Sequence, residues 1–114
     1  MKVWIGDPCY VLTQDQMDQV RDRFDPEVDV DETFTCVVYE TWNGDGTFYD
    51  QSGLEYIVDS GMLCVIPEDC MKEDSYPQCG QVYNDDTWKN FFVDDHSKED
   101  GVIQFGEVSI NTGP

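Results

Sequence analysis

Positive charge is what this chain has least of: 6 Lys plus Arg and a single histidine stand against 25 Asp plus Glu in 114 residues. The net charge of −19, spread over a folded surface of about 6,400 Å², leaves one uncompensated negative charge per about 340 Å². Such a surface repels phosphates and disfavours direct binding of DNA, RNA or an anionic membrane, while basic proteins and cations stay open as partners. Long apolar runs are missing too. The longest, residues 62–66, falls far short of the ~20 residues of a membrane span. Val3-Trp4-Ile5 before Gly6-Asp7-Pro8 is too short for the apolar region of a signal peptide, which predicts a cytoplasmic protein.

Groups for metal or nucleophilic chemistry are sparse as well. Cys9, Cys36, Cys64, Cys70 and Cys79 include no Cys-x-x-Cys pair and are odd in number, so they read as reduced thiols and not as a zinc set. Cys9, Cys36 and Cys64 sit in apolar contexts that suit core residues, and Cys70 and Cys79 are the pair that an oxidising environment would join. A cysteine nucleophile needs a base, yet His96, among Asp94, Asp95, Glu99 and Asp100, reads as an exposed loop residue. No Gly-rich phosphate loop with a lysine is present. Catalytic, metal and cofactor sets are therefore left empty.

Apolar material for a core is nevertheless present, with 39% hydrophobic residues, three Trp, six Tyr and six Phe. The length fits one domain, residues 1–114. A helix is predicted over residues 14–24: Thr13 and Gln16 have capping-box spacing, Leu12 and Met17 the staple positions, and Met17, Val20 and Phe24 share a face. Its other face carries Asp15, Asp18 and Asp22. β-structure follows at residues 34–42, with Asn43-Gly44-Asp45-Gly46 as a hairpin turn to a return strand at 47–49, then at 55–58 and 62–66 between Gly-containing turns. Residues 67–81 read as an irregular surface loop. Asp85 or Asp86 would cap a short second helix bearing Trp88, Phe91 and Phe92, residues 94–101 an acidic loop, and 102–110 a last strand with a bulge at Gly106. The expected fold class is α+β: a curled antiparallel sheet, barrel- or sandwich-like, with one amphipathic N-terminal helix. Trp4, Tyr10, Phe34, Trp42, Phe48 and Phe105 are the expected core aromatics. An exposed subset of Tyr76, Tyr83, Trp88, Phe91 and Phe92 would suit the apolar centre of a protein interface.

Two segments, Trp4-Ile5-Gly6-Asp7-Pro8-Cys9-Tyr10-Val11 and Gly44-Asp45-Gly46-Thr47-Phe48-Tyr49-Asp50 with Tyr56-Ile57-Val58-Asp59-Ser60-Gly61, carry a resemblance. Together, over about a third of the chain, this sequence resembles a group of small bacteriophage and bacterial proteins without assigned activity. Their chains open on Gly-Asp-Pro-Cys-Tyr and carry a Gly-Asp-Gly…Tyr…Val-Asp-(Ser/Ala)-Gly segment. The resemblance implies a phage-like origin and a β-rich fold, and it transfers no catalytic residue.

The most unusual local pattern is Asp25-Pro26-Glu27-Val28-Asp29-Val30-Asp31-Glu32. In an extended chain Asp25, Glu27, Asp29 and Asp31 share one face at a spacing of about 6.6 Å, with Val28 and Val30 on the other. That repeat is of the order of the distance between phosphates along one nucleic acid strand, and carboxylates offer oxygens to Arg or Lys as phosphates do. Asp15, Asp18 and Asp22 make a second row at steps of about 4.5 to 6 Å along the helix axis. The two rows are predicted to imitate a nucleic acid edge. The plainer alternative is a solvated edge strand whose like charges prevent aggregation. A calcium loop from Asn43 through Asp45, Thr47 and Asp50 fails, because its sixth position is Phe48 where Gly is needed and its twelfth Leu54 where Glu is needed. The expected function is a non-catalytic, phage-like inhibitor that presents these seven carboxylates to the basic, nucleic-acid-binding surface of a host protein, such as a defence protein. The alternatives are an interaction module unrelated to nucleic acid and a small metal-dependent or carboxylate enzyme.

Overall fold

The computed structural model describes residues 2–84 and 95–113. Among them are two five-stranded antiparallel sheets and one α-helix. The first sheet holds β1 (Lys2–Gly6), β2 (Glu27–Val30), β3 (Phe34–Glu40), β6 (Met62–Pro67) and β7 (Gln81–Asn84) in the order β2-β3-β6-β1-β7. The second holds β4 (Gly46–Asp50), β5 (Glu55–Val58), β8 (His96–Glu99), β9 (Val102–Phe105) and β10 (Val108–Asn111) in the order β5-β4-β10-β9-β8.

The inner strands of the first sheet are buried on both faces, which is why residues 62–66 run apolar without alternation. Val3, Ile5, Val37, Leu63 and Val65 face Tyr56, Val58, Ile103, Phe105 and Ile110 of the second sheet across one core. Their neighbours Trp4, Cys36, Val38, Cys64 and Ile66 point the other way, onto Leu12, Met17 and Val20. The helix α1 (Gln14–Arg21) thus covers the face of the first sheet opposite the second sheet. Both halves of its capping box form: Gln16 N donates to Thr13 Oγ1 at 3.2 Å, and Thr13 N to Gln16 Oε1 at 2.9 Å.

Several sequence expectations are corrected. The helix stops at Arg21, with Asp22 as C-cap and the Arg23 guanidinium donating to Val20 O at 2.9 Å. Phe24 therefore leaves the buried stripe and is fully exposed. Asn43-Gly44-Asp45-Gly46 closes no hairpin: β3 pairs with β2 and β6, β4 with β5 and β10, so this turn carries the chain from one sheet to the other. Trp42 lies on that crossover and is 58% exposed. Residues 94–101 are not simply a loop, since His96–Glu99 pairs with β9 through Asp100-Gly101, both at positive φ, the two-residue turn that Asp-Gly favours. Gly106 is no bulge either. It begins the turn between β9 and β10, and the apparent change of buried face is a change of strand. The stretch 67–81 holds 3-10 turns at Glu68–Cys70 and Pro77–Cys79 and leads into β7. The predicted second helix, with Asp85, Asp86, Trp88, Phe91 and Phe92, and also Asp94, lies outside the described residues.

Trp4 shows how closely one residue fixes its surroundings. Its indole is fully buried, donates to Pro77 O at 2.9 Å and lies over Gly6 and Gly80. A Cβ on Gly80 would stand 2.1 Å from Ile5 O and 2.7 Å from the indole. Gly80→Ala is expected to destabilise the fold by about 1 to 3 kcal/mol, the size of core overpacking, read as a lower urea midpoint with unchanged slope.

Candidate functional site

The acidic segment between Asp15 and Asp31 is the first candidate, and all seven of its predicted site residues are exposed. Asp15 and Asp18 lie on α1 and Asp22 caps its end. Asp25 precedes β2, Glu27 and Asp29 alternate with buried Val28 and Val30 within it, and Asp31 begins the turn to β3. Because Val28 and Val30 point to the helix layer, Glu27 and Asp29 point to the opposite face of the sheet. The two predicted rows therefore flank one sheet edge from its two sides and do not form a continuous surface. The row of four is also interrupted, since Asp31 has φ 54° and turns toward the helix. There it accepts from Gln19 Nε2 at 2.6 Å and Gln16 Nε2 at 3.0 Å, bonds that hold its carboxyl below the usual range. Asp29 accepts from Thr35 Oγ1 at 2.8 Å.

Glu27 leads to a second constellation. Its Oε1 lies 3.2 Å from His96 Nε2, and His96 Nδ1 lies 2.5 Å from the Tyr39 hydroxyl. A carboxylate can only accept, so Nε2 carries a proton and the imidazole bridges the two. The bridge joins β2 and β3 of one sheet to β8 of the other. His96 is thus not an exposed loop residue: its side chain is 13% exposed. Burial, then the charge of Glu27, raises the Tyr39 phenol above its ordinary value and keeps it protonated.

Two further carboxylates were missed as sites: Asp7 because its partners Asp59 and Ser60 lie about half the chain away, and Asp50 because two of its donors are backbone N–H groups of the turn that follows it, which no side-chain pattern shows. Asp7 is fully buried. Its Oδ2 accepts from Asp59 N and Ser60 N, both at 2.6 Å, and its Oδ1 accepts from Cys9 N at 2.9 Å and Ser60 Oγ at 2.6 Å. Tyr10 OH also donates to Asp59. Asp50 is 8% exposed and accepts from Ser52 N, Leu54 N, Tyr56 OH at 2.9 Å and Tyr83 OH at 3.2 Å. Burial is the largest single influence and pushes its carboxyl up, but the four donors together outweigh it and hold the group below its ordinary value. These bonds occupy the carboxylate that a calcium loop would have used.

The cysteines are free thiols. Cys36 and Cys64 lie in the core, and burial pushes the Cys36 thiol up to about 12. Burial and then Asp7 push Cys9 up to about 12 as well, which keeps it un-ionised near neutral pH. Among the described residues no group of three or more His, Cys, Asp or Glu is arranged to hold a metal ion, and no helix is long and apolar enough to cross a membrane. No known protein family, curated protein or solved structure matches the chain.

Asp7→Ala, which orphans three N–H groups, is expected to cost about 3 to 5 kcal/mol, and Ser60→Ala, which removes one neutral donor, about 1 kcal/mol; both are read by chemical denaturation. Asp50 gives a pH prediction. Its folded carboxyl titrates below the unfolded one, so its contribution is complete above the unfolded value near pH 4 and is lost as pH falls through the folded value. The stability gap between wild type and Asp50→Asn should be constant from pH 5 to 7 and shrink below about pH 4, as measured by urea midpoints across that range.

Proposed function

We propose that this protein acts without catalysis, as a phage-like inhibitor or modulator that presents carboxylates to the basic, nucleic-acid-binding surface of a host protein in the cytoplasm. The observation that carries this reading is the exposure of Asp15, Asp18, Asp22, Asp25, Glu27, Asp29 and Asp31 along one chain segment of a protein with net charge −19. Long-range attraction would steer the encounter, and ion pairs would form as the target's Arg and Lys exchange phosphate for carboxylate. Presentation from both sides of a sheet edge suits a target cleft that receives the edge β2 with α1 against one wall. The shared core between the two sheets supports a sandwich-like scaffold rigid enough to hold that edge.

The two segments behind the resemblance to small phage and bacterial proteins meet at Asp7, which joins Gly6-Asp7-Pro8-Cys9-Tyr10 to Asp59-Ser60. We read these motifs as the means by which the fold is held, with the acidic segment outside them as the part adapted to a target.

The test is capture from host lysate at low salt, with and without excess duplex DNA, using wild type and a variant carrying Asp15→Asn, Asp18→Asn, Asp22→Asn, Glu27→Gln and Asp29→Asn. The expected result is recovery of nucleic-acid-binding proteins that DNA displaces, salt raises off the resin and the variant fails to retain. Recovery only of proteins indifferent to DNA would sink the reading.

A further inference from the structure

The outer side of the second sheet carries almost none of the molecule's charge. Tyr56, Ile103, Phe105 and Ile110 turn into the core, so the residues that alternate with them point outward. The pairing register sets these outward residues in rows across the sheet. One row runs Glu55, Tyr49, Asn111, Val102 and Glu99, from β5 at one edge to β8 at the other. The next runs Gln51, Ser109, Gln104 and Ser97, with Gln51 N donating to Ser109 O at 3.1 Å and Ser109 N to Gln51 Oε1 at 2.8 Å. On the other side of the first row Ile57 and Thr47 stand opposite each other.

Of the 22 acids among the described residues, these rows hold Glu55 and Glu99, and both lie on the outermost strands. They hold no Lys or Arg, since Lys98 pairs with inward-facing Ile103. Between the two glutamates the surface consists of amides, hydroxyls and a few apolar groups: Thr47, Ser97, Gln104 and Asn111 are exposed, and the Tyr49 side chain is 53% exposed. A centre depleted of charge with charged residues at its margin is the composition of a contact face. It stands out on a chain whose acids crowd almost every other edge and turn.

We infer that this face binds an uncharged, hydroxyl-rich chain, a neutral glycan laid across the strands, with Tyr49 against the apolar side of a sugar ring and Asn111, Gln104, Ser109 and Ser97 bonding its hydroxyls. A basic partner is drawn to the acids elsewhere on the molecule and an anionic one is repelled by the net charge of −19, so a face without charge favours a ligand without charge. Tyrosine supplies a rigid plate of contact area, and serine and asparagine supply adaptable donors and acceptors, which a sugar hydroxyl needs in equal measure. Four strand intervals of about 4.8 Å make a track about 19 Å long. With three rows about 6.7 Å apart, its projected area is about 250 Å², far below the ~800 Å² that each partner buries in a standard protein interface. A narrow chain fits that track better than a second protein. The inference is independent of the acidic segment, which lies at the β2 edge of the other sheet.

The probes are maltohexaose, cellohexaose and the N-acetylglucosamine hexamer, with an acidic hyaluronan hexasaccharide for comparison, each titrated to millimolar concentration and followed through backbone amide chemical shifts of the full chain. At least one neutral hexasaccharide should give saturable shifts confined to β4, β8, β9 and β10. Its affinity should agree within about twofold at 0.1 and 1 M salt, although the Debye length falls from about 10 to 3 Å, and the acidic hexasaccharide should bind more weakly. Tyr49→Ala, at an exposed position, should weaken binding roughly two- to ten-fold, whereas Tyr49→Phe, which keeps the ring, should retain it. Absence of saturable shifts with all three neutral probes, shifts centred on another face, or binding unaltered by Tyr49→Ala would overturn the site. Sedimentation that shows a dimer dispersed by Tyr49→Ala would assign the face to a second copy of the chain and overturn the glycan.

Discussion

A buried carboxylate with nowhere to put its lone pairs is among the most expensive things a small fold can contain, and so is a crossover loop with orphaned peptide N–H groups. Asp7 and the chain between β5 and β6 answer each other's need. The loop leaves the second sheet and enters the first at Asp59–Gly61, and its two leading N–H groups end on one Asp7 oxygen. The neighbouring crossover from β3 to β4 is tied to the same place, because Thr41 N donates to Gly61 O. These bonds tie both crossovers between the sheets to one place. The fully buried Tyr56, Ile103 and Phe105 fill the core between the two sheets that these crossovers join.

The same logic governs the surface. With so few cations available, the protein satisfies its carboxylates with neutral donors: Gln16 and Gln19 on Asp31, Gln14 on Asp18, Thr35 on Asp29, and tyrosines with backbone amides on Asp50. Most of the remaining acids among the described residues are exposed on edges and turns, where like charges also discourage another strand from adding to β2 or β8. The left-handed conformations of Asp31 and Glu32 belong to this arrangement. Asp31 N donates to Gln19 Oε1 at 2.7 Å, so one glutamine amide clasps both the backbone and the side chain of that residue.

Local patterns in the sequence were reliable where the determining contacts are local. Thr13 with Gln16 marked the helix start, and the valines of Glu27-Val28-Asp29-Val30 marked an alternating strand. Errors arose where sheet membership decides the outcome. Asn43-Gly44-Asp45-Gly46 has the composition of a hairpin turn, but strand pairing depends on partners tens of residues away, and those partners lie in different sheets. β8 escaped notice because its charged side chains resemble a loop, although Asp100-Gly101 was a usable turn signal. At the candidate site, exposure of Glu27 and Asp29 was legible from their alternation with Val28 and Val30, and that of Asp15, Asp18 and Asp22 from the polar face of the helix, whereas the opposite facing of the two rows was not. The Asp7 clasp and the His96 bridge are products of contacts separated by about half the chain or more, beyond what spacing can encode.

Neutral donors have a consequence for how this molecule responds to its medium. Added salt relaxes the mutual repulsion of 25 acids, which favours the compact state, while leaving bonds between carboxylates and uncharged amides or hydroxyls nearly untouched. Folding and electrostatic association then lean on ionic strength in opposite directions. A dilute solution would favour the proposed encounter with a basic surface and strains the chain itself; a concentrated one consolidates the chain and would silence that encounter.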